Sequence, residues 1–152
     1  MLMLPQSLRL ALAVFAVVGL TGLLSACAGR TAPAPSEPLV GTYWRLDSLG
    51  GEAAVVGDQQ REAHLVFNAA GHVRGSTGCN RLMGRYQHTD DALSFSALGT
   101  TRRACSGPLQ AQEQDWLDVL SRTRHLARSG DRLVLEDSRE RPLATLQATA
   151  LY

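Results

Sequence analysis

Three cysteines, Cys27, Cys79 and Cys105, are the side chains with the widest chemical range in this chain. A thiol can bind a metal, attack a substrate, carry a lipid or form a disulfide, depending on its pKa and its compartment. No two of the cysteines form the C-x-x-C pair that is typical of zinc and redox sites. The surroundings of Cys27 bear on the compartment of the whole chain.

Cys27 closes an apolar leader in which Arg9 is the only charged side chain. Residues 10–24 are almost purely apolar, and the small Ser25 and Ala26 precede the cysteine. A run of about 15 residues is shorter than a transmembrane helix requires, and a plain secretory signal needs no cysteine at its cleavage point. We therefore expect a lipoprotein signal peptide over residues 1–26 and lipidation of Cys27, with palmitate among its acyl chains. Since Ala28 follows, we expect the outer membrane, facing the periplasm.

Cleavage would leave 152 − 26 = 126 residues, which is enough for one domain with a modest core. All 15 basic residues are arginines, and loss of Arg9 leaves 14 of them against 14 acidic residues. A neutral domain gives no electrostatic reason to expect a nucleic-acid partner. Residues 27–38 are rich in Ala, Pro and Ser and predict an extended tether, so the domain is expected over residues 39–152.

Short segments of alternating polarity predict a mainly β domain. Strands are expected at residues 43–49, 63–68, 72–76, 84–88, 93–98, 132–136 and 142–147. Residues 108–124 have helical spacing, and we expect Ser106 or Gly107 to cap the helix. Glu113 lies in its N-terminal half, where the helix dipole favours an acidic side chain. Its apolar stripe comprises Leu109, Trp116, Val119, Leu120 and Thr123. The expected fold is a small antiparallel curled sheet, or barrel-like meander, with one helix packed across it.

The loop between the second and third of these strands can be specified. A three-residue loop over 69–71 pairs Phe67 with Val73 and keeps both apolar faces consistent, which a two-residue loop would not. This loop places Gly71 where a left-handed residue is needed, so we expect a type I turn followed by a glycine bulge. In the same register, Asn68 lies opposite His72.

Cys79 and Cys105 are predicted to form a disulfide, because two thiols in an oxidising compartment usually do. The bond would close a loop of about 27 residues and contribute about 3.5 kcal/mol by the chain-entropy relation. A reactive or metal-binding thiol is the alternative.

Four histidines, His64, His72, His88 and His125, raise the possibility of a metal site. In the expected register the best pair, His64 and His72, lies roughly 13 Å apart at ~3.3 Å per residue. Ligands of one metal each lie about 2 Å from it. We therefore expect solvated surface histidines, no metal and no cofactor.

Other chemically suggestive segments have simpler interpretations. Residues 75–78 do not match the G-x-S-x-G elbow of hydrolases, and Asp90 with Asp91 has turn chemistry rather than the pattern of a catalytic carboxylate pair. Arg102 and Arg103 could contact an anion or a partner, although a solvated loop is the simpler interpretation. Trp116 is expected in the core. No catalytic residue is assigned, and we expect the protein not to be an enzyme.

Two motifs carry a family resemblance. Residues 75–86 read G-S-T-G-C-N-R-L-M-G-R-Y and resemble the G-x-x-G-C-N-R-x-x-G-x-Y signature of the META/HslJ-like family. Residues 101–105 resemble its second signature, T-R-M-x-C, with Arg103 in place of the usual Met, and Trp44 fits the early tryptophan. The similarity spans about residues 39–148. The matching positions, which we interpret as structural, are Gly78, Cys79, Asn80, Gly84 and Tyr86.

The resemblance implies a small barrel-like β domain with one helix, found on envelope proteins that are often lipoproteins. The family is linked to heat-shock expression and antibiotic tolerance, without an assigned biochemical activity, and it supplies no catalytic residues. We therefore expect a non-enzymatic envelope lipoprotein that supports stress or antibiotic tolerance through envelope or protein contacts. The alternatives are a carrier of a small apolar ligand and an inhibitor of an external hydrolase that uses the Arg102–Arg103 loop.

Overall fold

The computed structural model describes residues 35–57 and 61–149, so the expected signal peptide, Cys27 and most of the tether lie outside the described residues. Within these ranges lie nine strands and one helix. In chain order they are β1 (Tyr43–Leu49), β2 (Glu52–Ala53), β3 (Ala63–Phe67), β4 (His72–Thr77), β5 (Arg81–Thr89), β6 (Ala92–Thr100), α1 (Gly107–Arg122), β7 (His125–Ser129), β8 (Arg132–Glu136) and β9 (Pro142–Thr149). In this part of the chain, no helix is long and apolar enough to cross a membrane.

The strands form one antiparallel sheet that curls into a ring. From β3 to β9 each strand pairs with the next along the chain, and β1 pairs with β3 on one side and with β9 on the other. The junction between β6 and β7 is thin, since a single residue pair, Ala92 with His125, joins them. Helix α1 packs on β6 and β4. The predicted curled antiparallel fold is confirmed, although the ring is not a regular barrel.

Large apolar side chains fill the inside of the ring. Alternation along each strand sends every second residue inward, and α1 adds a buried stripe. The largest fully buried apolar side chains are Trp44, Trp116, Phe67, Leu46, Leu65, Leu93, Leu120, Leu133, Leu135, Leu146 and Val73. Because burial of each stabilises the fold by about 1.5–3 kcal/mol, this interior is the main source of stability. Trp116 lies in the core, as predicted.

The predicted hairpin between β3 and β4 is confirmed in its register. Phe67 pairs with Val73, and Asn68 N donates to His72 O at 2.9 Å. Gly71 has a φ of 76°, the left-handed conformation that the three-residue loop requires. The side-chain Oδ1 of Asn68 also accepts hydrogen bonds from the backbone within this loop.

The structure corrects two boundaries. Helix α1 ends at Arg122 rather than Arg124, because the Thr123 hydroxyl donates to Val119 O at 2.8 Å and the backbone then becomes extended. The following segment forms β7; neither β7 nor the two-residue β2 was predicted from the sequence. The β5–β6 loop consists of Asp90 and Asp91 alone, both strands extend further than expected, and a φ of 55° at Asp90 confirms the turn.

Candidate functional site

Asn80, at the centre of the first motif, is buried in the tight turn between β4 and β5. Its Oδ1 accepts hydrogen bonds from Arg103 N and Thr101 Oγ1, both at 2.8 Å. Its Nδ2 donates to Arg103 O at 3.2 Å and to Glu113 Oε2 at 2.9 Å. The amide therefore uses its acceptor and its donors to hold the segment that precedes α1. Two of these hydrogen bonds satisfy the backbone N–H and carbonyl of Arg103.

The carboxylate of Glu113 completes the network from the helix. Thr77 Oγ1 donates to Glu113 Oε2 at 2.5 Å and accepts a hydrogen bond from Asn80 N at 2.9 Å. The adjacent Gln112 is buried and donates to Thr77 O at 3.3 Å. Glu113 thus joins α1 to the β4–β5 turn, a role beyond the helix-dipole preference that the sequence indicated. Its partners lie 33 and 36 residues away, so local spacing carried no signal of this contact.

The predicted disulfide joins Cys79 to Cys105, with 6.0 Å between the two Cα atoms. It crosslinks the same two segments that Asn80 bridges by hydrogen bonds. Among residues 35–57 and 61–149, one group of potential metal ligands lies close together, namely Cys79, Cys105 and Glu113. Both sulfur atoms of that group are engaged in the disulfide.

Two motif glycines allow the close packing around this network. Gly78 has a φ of 90°, and a Cβ there would lie 3.2 Å from Gln112 Nε2, so glycine lets α1 approach the turn. A Cβ at Gly84 would lie 2.8 Å from Leu98 Cδ2. The last motif residue, Tyr86, donates its hydroxyl proton to a backbone carbonyl of the β3–β4 loop. The motif positions therefore have structural explanations.

A groove of about 590 Å³ opens beside Asn80 and the disulfide. It is lined by Arg61, Ser76, Cys79, Asn80, Arg81, Thr101 and Arg103, and we call it the arginine groove. Three of these residues are basic and none is acidic. A smaller concavity of about 240 Å³ continues from it along Arg61 and Arg103 to Ser106, the residue that precedes α1. The surface around the two motifs is therefore concave and cationic.

Only part of this surface could be predicted from the sequence. Arg102 and Arg103 are exposed, as expected of a solvated loop, yet the backbone of Arg103 is fixed by Asn80. Arg81 was not singled out, although it follows Asn80 in the motif. Arg61 was also missed, because it lies in an irregular segment with no motif of its own.

The histidines do not converge on this groove. His64 pairs with Ser76 on the neighbouring strand, as predicted. Its ring stacks on Tyr43 with 4.3 Å between the centroids, and burial lowers the pKa of the imidazole. His88 Nε2 lies 2.9 Å from Asp90 O in the β5–β6 turn. In the described part of the chain, no histidine belongs to a group of three or more potential metal ligands.

Comparison with known proteins agrees with this architecture. An NMR structure of a protein from Burkholderia xenovorans is 30% identical, with a TM-score of 0.57 over 79% of this chain and 93% of that chain. A second NMR structure, 21% identical over 70% of this chain and 87% of that chain, also has a TM-score of 0.57 and supports the fold alone. A search of curated proteins gave no significant match. The family model for the META domain matches residues 37–150, and the chain therefore belongs to the META domain family.

Proposed function

We infer that this protein is a lipid-anchored META domain of the bacterial outer membrane, and that it supports stress or antibiotic tolerance through non-enzymatic contacts. The anchor is inferred from the leader and Cys27, and the biological setting from the family. The single structural observation in favour of a contact role is the combination of a filled interior with a concave, cationic surface at one end of the ring.

The filled interior weighs against a carrier of apolar ligands. Such carriers hold their ligand inside the ring, in a cavity lined by apolar side chains. Here Leu65, Phe67, Leu93 and Leu133 are at most 1% exposed and pack on one another. The arginine groove and its continuation are lined by turn and loop residues rather than by this core. Binding at the surface is therefore the better-supported mode of action.

The described N-terminal segment meets the ring at one end of β3. Gly41 N donates to Phe67 O at 2.9 Å, at one end of β3. Thr77 lies at the other end, where it pairs with Ala63, and Asn80 follows in the β4–β5 turn. A five-residue strand separates the two ends by roughly 13 Å at ~3.3 Å per residue. The described chain thus enters the ring at the end opposite the groove.

Anchoring is tested by expressing the full chain and its Cys27→Ser variant in a deletion strain grown with a radiolabelled palmitate. We expect label and outer-membrane fractionation for the wild type, and loss of both for Cys27→Ser. The matched control is the substitution Cys79→Ser, which removes a different cysteine and should leave the label in place. Labelled Cys27→Ser protein would contradict the assignment of the anchor.

The physiological part of the proposal is tested in the same strains. The deletion strain should grow less well under heat, oxidative or antibiotic stress, and the wild-type gene should restore growth. A deletion strain that matches the wild type under all three stresses would contradict a role in tolerance.

A further inference from the structure

We propose that the arginine groove binds an oxyanion, a phosphate or carboxylate group carried by a small molecule. This deepens the proposed function, because it names the ligand chemistry of the contact surface. Planar guanidinium groups bind both kinds of oxyanion through paired, charge-assisted hydrogen bonds. One concavity is lined by three arginines from separate segments, Arg61, Arg81 and Arg103.

The backbones of Arg81 and Arg103 are held in place by the buried network. Asn80 bonds both the N–H and the carbonyl of Arg103, at 2.8 and 3.2 Å. Arg81 N donates to Thr101 Oγ1, and Thr101 N donates to Arg81 O, both at 3.1 Å. Two arginines on fixed backbone lose less conformational freedom when they bind a ligand than two on a mobile loop. The network thus pre-organises a pair of cations.

The guanidinium groups of this pair are not neutralised within the described residues. Neither Arg81 nor Arg103 has a side-chain hydrogen bond or ion pair there, whereas Arg122 and Arg141 form ion pairs with aspartates. The carboxylate of the network, Glu113, lines the neighbouring concavity of about 490 Å³ rather than the groove itself. It already accepts hydrogen bonds from Thr77 and Asn80. The positive charge of Arg81 and Arg103 therefore remains available to a ligand.

Two further features favour an anion. The Ser76 hydroxyl accepts a hydrogen bond from Gly78 N at 3.0 Å and keeps its own proton available for donation into the groove. The adjoining concavity reaches the N-terminus of α1, whose first turn contains no acidic residue and whose cap, Ser106, makes no side-chain bond. The helix dipole adds positive potential at that point.

The size of the groove indicates what carries the oxyanion. A volume of about 590 Å³ lies within the roughly 300–1,000 Å³ of small-molecule sites. One phosphate or carboxylate group occupies only a fraction of that volume. The groove therefore has room for a small molecule, or for the end of a longer one, that presents the oxyanion to the arginines.

The test uses the full chain in a neutral maltoside detergent, with inorganic pyrophosphate and citrate as the probes and calorimetry at constant ionic strength as the readout. The variants are Arg81→Gln, Arg103→Gln and the double substitution. The matched control is Arg85→Gln, which removes an exposed arginine of β5 that has no side-chain partner in the described residues and lies roughly 13 Å from Arg81. Each site substitution should weaken binding at least about 10-fold, because it removes a charge-assisted hydrogen bond to the oxyanion. Arg85→Gln should retain the wild-type affinity.

Each outcome decides something about the proposal. Tighter binding of pyrophosphate identifies a phosphate ligand, and tighter binding of citrate identifies a carboxylate; either supports an oxyanion site. The proposal is overturned if neither probe binds at concentrations up to about 10 mM. It is also overturned if Arg85→Gln weakens binding as much as the site substitutions do. Thiol titration and circular dichroism check that every variant is folded. Because binding is measured on purified protein, a negative binding result can be distinguished from a negative result in the lipid-labelling or stress-growth experiments.

Discussion

The sharpest stability prediction concerns Asn80, whose side chain links the β4–β5 turn to the segment before α1 and to the helix. Substitution Asn80→Ala removes the hydrogen bonds from Arg103 N and Thr101 Oγ1 and the hydrogen bonds to Arg103 O and Glu113. Three neutral bonds contribute about 1 kcal/mol each and the bond to the carboxylate about 2 kcal/mol. The variant should therefore lose about 5 kcal/mol of unfolding free energy, or roughly 20 °C of melting temperature for a domain of this size.

The other asparagine of the chain, Asn68, provides the matched control for this measurement. It is exposed in the β3–β4 loop, where its Oδ1 accepts two backbone hydrogen bonds. Asn68→Ala should cost only about 1 kcal/mol. Both variants are compared with the wild type by urea unfolding and thermal melting, with the disulfide intact. Equal costs for the two substitutions, or a cost below about 1 kcal/mol at Asn80, would refute the view that the buried amide network stabilises this end of the domain.

Three further measurements test other parts of the structure. Reduction of the disulfide by a dithiol should lower the unfolding free energy by about 3.5 kcal/mol; unchanged urea unfolding after complete reduction would contradict this. The side-chain hydrogen bond from Arg141 lowers the pKa of Asp137 from its usual 3.8 to about 2. The ionised carboxylate therefore stabilises the fold above its unfolded-state pKa, and this stabilisation is lost as the pH falls towards 2. In a pH series, the gap in melting temperature between the wild type and Arg141→Gln should close over that interval, and a constant gap would argue against the pair. Trp44 Nε1 donates to a backbone carbonyl at 3.1 Å, whereas Trp116 Nε1 has no acceptor among the described protein groups. Trp44→Phe should therefore destabilise the fold by about 1 kcal/mol more than Trp116→Phe in the same unfolding assay, and the reverse order would contradict this.

Local patterns were sufficient to predict the β3–β4 hairpin and the curled sheet. The face of each strand follows from alternation, and a one-residue slip at Phe67 would have exposed the whole apolar face. The missed strand β7 shows where such patterns fail. Of its five residues only Leu126 is buried, and arginines stand on both sides of it in the sequence, so the alternation is too weak to see. Its place is set instead by pairing along its whole length with β8.

The polar network was harder to predict than the core. Apolar contacts are non-directional, so periodicity alone identifies which residues face inward. A buried hydrogen bond needs two particular atoms at one distance, and those of Asn80 and Glu113 come from segments 33 residues apart. The cysteines were the exception, because a cysteine forms a disulfide only with another cysteine and the chain contains just three. The disulfide could thus be predicted, whereas the arginines beside it could not be grouped from sequence.

Closure of the ring by β1 and β9 has a consequence for how this protein is made. The first and last strands pair over most of their lengths, from Tyr43 with Thr149 to Leu49 with Ala144. Whether the chain emerges from a ribosome or from a translocation channel, β1 emerges about a hundred residues before its partner β9. Contacts of such long sequence separation form late, after much loop-closure entropy has been lost. Until Pro142 and the residues after it emerge, β1 and β8 both present open strand edges, so a nascent or truncated chain is exposed to aggregation and proteolysis.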